Sequence, residues 1–313
     1  MKWFLLGTVV LAVGVTAGVT GWVLTADQST SLVEALKAGG LAGASIVALY
    51  GLWLNDRRRR VEEQRQQVDS SRLDQERFLK SIELLGNDAD QVRVGAMHAL
   101  SGLAHNTPAY TQTVLDVLCA YLRRPFHHPR YDDERAPDLK DFAAPQPRLV
   151  DEDVVEADRE RQVRIAAQQL ITDLLPDRGT ADQHYHLDLT GASLEFLNLS
   201  GKVVCRLLAR RATFHGRSRL DNLEVHGWAM FTGSEFCGPA DLRDSVFSGG
   251  LSLWKVRARE NLDLTGISCT GFVDLKIIDD ERVVLENCVV DPAQRIMLPE
   301  GWSLDGAQVI RSA

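Results

Sequence analysis

Few residues in this chain stand at spacings that could do chemistry. His184 and His186 flank Tyr185, and His127 and His128 are adjacent. Two imidazoles begin a zinc site, but a closed or catalytic site needs further ligands at defined spacing, and none follows either pair. A solvated loop is the expectation for His127-His128, and capping or exposure for His184 and His186. The five cysteines form no CxxC pair and their number is odd. That excludes the usual disulfide framework and the zinc ribbon. Cys269 is expected to face inward as a small apolar residue, and Cys237 outward. There is no P-loop, no dinucleotide fingerprint and no nucleophile elbow. The chain is therefore read as a non-enzyme, with no catalytic, cofactor-binding or metal-ligating residue assigned.

What positions these residues is a repeat. A large apolar residue recurs every five positions at Leu189, Leu194, Leu199 and Val204. Farther on, Leu220, Phe231, Leu242, Leu253, Leu264 and Leu275 are each eleven apart. Phe214, Val225, Phe236, Phe247, Ala258 and Cys269 keep the same step. So do Gly216, Gly227, Gly238 and Gly249, and the series resumes at Gly271. Five fits neither a helix nor a flat strand. It fits a chain that turns a corner every five residues, with four sides to a coil and coils stacked about 4.8 Å apart. Eleven is two sides plus one extra corner residue, expected to be Gly because a corner can demand positive φ. About five coils fit between Leu187 and Val290.

These units resemble pentapeptide repeats, whose consensus is Ala-Asp/Asn-Leu-x-x. Leu197-Asn198-Leu199 and Ala240-Asp241-Leu242 match best. The resemblance implies a right-handed quadrilateral β-helix. Val92-Arg93-Val94-Gly95-Ala96, Val117 to Arg123, Arg164 to Gln168 and Leu187 to Ala192 extend it. Through them the chain resembles actinobacterial pentapeptide repeat-containing membrane proteins.

The front of the chain is apolar. Trp3 to Leu24 carries no charge, and a second apolar stretch ends at Leu54. As helices both are read as spanning a hydrocarbon core of about 30 Å. The link between them, Thr25 to Ser31, is short, and Arg57, Arg58, Arg59 and Arg60 follow. Four arginines mark the cytoplasmic side. The expectation is a two-helix transmembrane hairpin in the plasma membrane with both termini cytoplasmic. A cleaved signal peptide followed by one anchor is the competing reading. Gly14 and Gly18, and Gly39 and Gly43, are spaced for close helix packing.

The organisation expected is a hairpin over 1–60, a small helical unit of HEAT or armadillo type over 61–124 and a Pro-rich acidic linker over 125–155. A capping helix and connection over 156–185, the β-helix over 186–290 and a C-terminal cap over 291–313 follow. In the cap, Leu298, Trp302, Leu304 and Val309 are expected to cover the open end of the coil.

Charge bears on function. The net charge is −8 with 45% hydrophobic and 25% charged residues, which argues against a nucleic-acid binder. Gyrase-protecting pentapeptide proteins mimic DNA with an acidic rod. Between 186 and 290 there are 12 Lys or Arg and 14 Asp or Glu, so DNA mimicry is the least favoured reading. Trp228 and Trp254 fall at non-core positions and are the candidate partner patch. The sequence reading is a membrane-anchored scaffold that presents its β-helix to an unknown protein partner, with the membrane as a further partner and homo-oligomers possible. A membrane-associated sensor or stress-response component is the alternative.

Overall fold

The computed structural model describes residues 2–26, 32–132, 152–179, 183–278 and 281–311. Two compact units divide the chain, Met1–Glu76 and Arg77–Ala313. Much of the expected linker (Asp133-Glu134, Pro137, Pro145, Pro147 and Asp151) and most of the link Thr25 to Ser31 lie outside the described residues.

The first unit holds α1 (Lys2–Ala26) and the larger part of α2 (Leu32–Leu84). Among the described residues no helix is long and apolar enough to cross a membrane. α2 runs unbroken from Leu32 through Asp56 and the four arginines to Leu84, so its apolar stretch is the front of a longer, charged helix. The expected transmembrane hairpin, the plasma-membrane location and the two cytoplasmic termini are corrected accordingly.

In the second unit, α3 (Asp90–Asn106), α4 (Thr111–Leu122) and α5 (Glu152–Leu174) form a helical end piece. Helical spacing puts Ala96, Met97, Leu100 and Ala104 of α3 on one buried stripe, with Leu115, Leu118 and Leu122 of α4. Asp90 stands in the first turn of α3, where the helix dipole favours it. Pro108 follows its end and opens a single 3-10 turn. Pro176 follows α5. The inward stripe of α5 is unusual, because Arg161, Arg164 and Gln168 share it with Val163, Ala167 and Ile171.

From His186 onward the chain is a β-solenoid with four sides. The first side stacks His186–Asp188, Arg206–Leu208, Trp228–Met230, Gly250–Ser252, Phe272–Asp274 and Ile296–Met297. The second stacks Ser193–Glu195, Thr213–His215, Glu235–Phe236 and Arg257–Ala258. The third runs from Ser218–Arg219 to Val283–Val284 and the fourth from Val203–Val204 to Val289–Val290. All neighbours within these stacks are parallel. At the far end of the fourth side, Gln308–Arg311 pairs antiparallel with that stack and with Trp302–Asp305. In this hairpin Val309 is buried, whereas Leu304 is exposed.

Both apolar series that step by eleven point inward, and every member is buried. One alternates between the third and first sides, the other between the second and fourth. Phe214 and Phe236 stack at 4.4 Å, and Phe231 touches both. Each fully buried Phe or Leu contributes roughly 1.5–3 kcal/mol. The core is continuous from Leu85 through the helices into the coils and on to Val309, so the helices close the first end of the solenoid.

In the glycine series Gly216 has the expected positive φ, but the others have a different cause. Gly227, Gly238, Gly249 and Gly271 do not have positive φ. They lie where successive coils touch: a Cβ on Gly249 would stand 2.5 Å from the carbonyl carbon of Gly227, and one on Gly238 2.4 Å from the carbonyl oxygen of Gly216. Positive φ instead falls at another corner, on Arg211, Asn222, Gly233, Asp244, Lys255 and Gly266, again eleven apart.

Candidate functional site

Two places in the second unit gather polar or exposed aromatic side chains. The first is the junction of α5 with the opening coil. Arg161 donates to both oxygens of Glu195, Nε to Oε2 at 2.5 Å and Nη2 to Oε1 at 2.7 Å. The two side chains are 4% and 2% exposed. Tyr131 donates its hydroxyl to the same carboxylate at 3.0 Å, and the Glu195 backbone N–H donates to Gln168. Burial pushes the Tyr131 phenol up, and the Glu195 charge adds to it. Burial alone would lower Arg161, but its hydrogen bonds to Glu195 hold it above its ordinary value.

The Tyr131 ring lies on the His215 ring at 3.5 Å and 7°. His215 is 7% exposed, and burial lowers its pKa to about 4. His128, expected in a solvated loop, is buried beside this stack. It meets Asp158 at 3.1 Å and accepts the Arg130 N–H at Nδ1. A loop of prolines and polar residues hides a buried imidazole because Phe126, His128 and Tyr131 pack on one another.

Above the stack opens a cleft of about 650 Å³, lined by His127, Tyr131, His215, Glu235, Cys237 and Arg259 among others. Its groups are engaged with one another. Glu235 pairs with Arg259 at 2.8 Å, and His127 with Asp132 at 3.2 Å. Burial raises the Cys237 thiol, which makes it a poor nucleophile. Among the described residues no group of three or more His, Cys, Asp or Glu is placed to hold a metal ion. His184 stacks on His226 at 4.1 Å, while the backbone of His186 is pinned to the Gln112 amide.

The second place is the outer surface of the first side. Trp228 and Trp254 are 42% and 43% exposed. The Trp228 ring packs against Phe272 at 5.8 Å, over Gly250, which lies between them in register. Trp254 carries the Lys255 ammonium 4.4 Å from its ring centre. Leu208 and Met230 continue the surface between these groups, half-buried.

The other residues singled out from the sequence sit in the first unit. Arg60 pairs with Asp56 at 2.8 Å, and Arg57 lies over Trp53. A Cβ on Gly43 would meet the Thr16 hydroxyl at 2.2 Å, so α1 and α2 approach closely there. Gly14 and Gly18 have open space around them. For Arg58 and Gly39 only the helical backbone is described, as part of α2.

The sequence reading passed over Tyr131, Arg161, Glu195 and His215. One signal was present: two arginines on the apolar stripe of α5, which a helix buries only if it finds them partners. Comparison with protein-family models, with curated proteins and with solved structures finds no match to this chain.

Proposed function

We propose that the solenoid is of the pentapeptide-repeat type and that the chain is a non-catalytic scaffold that presents one side of it to a protein partner. The observation that carries this is the pair of exposed tryptophans, Trp228 on a strand paired in parallel with its neighbours and Trp254 in the turn that follows the next coil's strand, its carbonyl accepting from Gly233. Tryptophans on a surface that loses little freedom on binding are favourable anchors. The polar groups of the cleft support the same reading, because they are engaged in ion pairs and stacking rather than arranged as a nucleophile with its base.

Proximity labelling with the full-length chain tests it. Wild type is compared with the Trp228→Ala/Trp254→Ala variant at matched expression, and circular dichroism checks the fold. The variant is expected to lose a specific set of neighbours. An unchanged neighbour set from a folded variant refutes the scaffold role of this side.

A further inference from the structure

Alternation along each strand puts two columns of side chains on the outer surface of the first side, and the corner that follows adds a third. Column one is His186, Arg206, Trp228, Gly250 and Phe272, from the strand register. Column two is Asp188, Leu208, Met230, Ser252 and Asp274. Column three runs through Arg210, Thr232, Trp254 and Lys276, whose carbonyls accept from the residue after the corner one coil earlier. Trp228 and Trp254 are therefore one coil and two columns apart. Strand rise and coil spacing put them at most about 14 Å apart. Two side chains four residues apart on an extended peptide span about 13 Å.

The charge of this surface is one-sided. Arg206, Arg210, Lys255 and Lys276 are all exposed. Among the described residues none of them is in an ion pair; Arg210 reaches only the Met230 sulfur, and Lys255 the Trp254 ring. On the other sides Arg219, Arg243 and Arg259 each meet a carboxylate. The two acids on the surface are engaged. Asp188 at the helical end pairs with Arg123. Asp274 is buried and accepts the Lys276 N–H at 3.1 Å. Each tryptophan thus has a free cation next to it, Arg206 one coil before Trp228 and Lys276 one coil after Trp254.

We infer that this side docks an extended acidic peptide segment of a protein partner. Two apolar or aromatic side chains about four residues apart rest on Trp228 and Trp254, and flanking carboxylates meet Arg206, Arg210, Lys255 and Lys276. The inference rests on the scaffold reading and adds the chemistry of the partner. A chain with net charge −8 repels nucleic acid at long range, whereas a local cluster of free cations beside aromatic rings suits a short acidic segment.

The experiment is selection of a random displayed peptide library on the full-length protein. Fluorescence anisotropy with the recovered peptides follows. Recovered sequences are expected to be rich in Asp and Glu around spaced Phe, Trp, Leu or Met. Trp228→Ala and Trp254→Ala should each weaken binding about tenfold or more. Arg206→Glu/Lys276→Glu, which leaves the apolar packing in place, should weaken it by a similar factor, and added salt should weaken wild type but not this variant. Four results overturn the inference. They are no enrichment, enrichment without acidic residues, tighter binding of a single-stranded oligonucleotide than of any peptide, and self-association of the chain that Trp228→Ala abolishes. If the proximity neighbours depend on the tryptophans while the library result fails, the scaffold reading stands and the partner chemistry assigned here falls.

Discussion

Replacing Glu195 by Ala removes the anion that holds α5, the Tyr131 segment and the first coil together. Arg161 loses the carboxylate that takes two of its hydrogen bonds in a dry site, and breaking a pair this buried costs about 3–5 kcal/mol. The Tyr131 hydroxyl loses its acceptor, about 1 kcal/mol more. The sum, about 4–6 kcal/mol, exceeds what most single substitutions do. For a unit of this size it lowers the melting temperature by about 10–20 °C. Arg161→Met/Glu195→Leu removes both charges and fills the same space, so most of the loss should return, because an ion pair this buried gains little over an apolar pair. Urea unfolding followed by far-UV circular dichroism, on wild type, the two single variants and the double variant, closes the cycle. A Glu195→Ala cost below about 1 kcal/mol, or a double variant no more stable than Glu195→Ala, would falsify the claim that this pair locks the helices to the coils.

Other consequences are open to direct measurement. His215 has a folded pKa of about 4 against an ordinary 6.5, so the unfolded chain binds the extra proton first. Its contribution is complete above about 6.5 and is lost as pH falls towards 4, by up to about 3 kcal/mol. Urea midpoints across that range should fall in wild type and less steeply in His215→Phe. Gly249→Ala should destabilise by about 1–3 kcal/mol or more, since the added methyl meets the Gly227 backbone. In contrast Gly95→Ala, with open space around it in α3, should gain about 0.5–1 kcal/mol; thermal melts of the two variants should shift in opposite directions. A thiol reagent should modify only Cys205 and, more slowly, Cys237 in the folded protein. Cys119, Cys269 and Cys288 are buried, and burial lifts the Cys119 and Cys269 thiols to about 12. Rapid labelling of all five would contradict this core.

The solenoid was legible because its contacts repeat at a fixed distance along the chain. Phe214 meets Phe236, and Val246 pairs with Ser268, because each coil takes 22 residues there. Any residue type needed once per half-coil therefore appears every eleven. The junction was not legible, since Arg161 lies 34 residues from Glu195 and Tyr131 lies 64 from it, with no recurrence to mark either distance. The front of the chain was misread for a related reason. An apolar run signals burial without saying in what, and the short link and Arg57 to Arg60 were read as its membrane flanks, when α2 simply continues through the arginines. The glycines show the limit of residue-level reasoning even inside the repeat. Their spacing was seen, but the cause assigned, backbone conformation, holds at Gly216, while stacking of one coil on the next decides the others.

Coil length ties the two ends of the molecule together. From the opening coil to the next, the first and second sides advance by 20 residues, as in His186 to Arg206 and Ser193 to Thr213. From there as far as Phe272 and Arg257 the step is 22, as in Thr213 to Glu235 and Trp228 to Gly250. The two added residues fall at corners, and the glycines that stack there, Gly227 on Gly249 and Gly249 on Gly271, begin only after the opening coil. The opening coil is the one that meets the helices. Arg161 and Gln168 reach Glu195, Thr172 donates to the Asn198 carbonyl, and Arg123 pairs with Asp188. The longer coils bring their backbones together at the glycine corners, and it is on these coils that Trp228 and Trp254 stand. Inserting one residue after Ser193 should therefore weaken helix docking and leave the later coils intact. Hydrogen exchange should report faster protection loss in α5 with unchanged protection from Trp228 to Val290. Equal loss in both regions would mean that the helices and coils unfold as one cooperative piece.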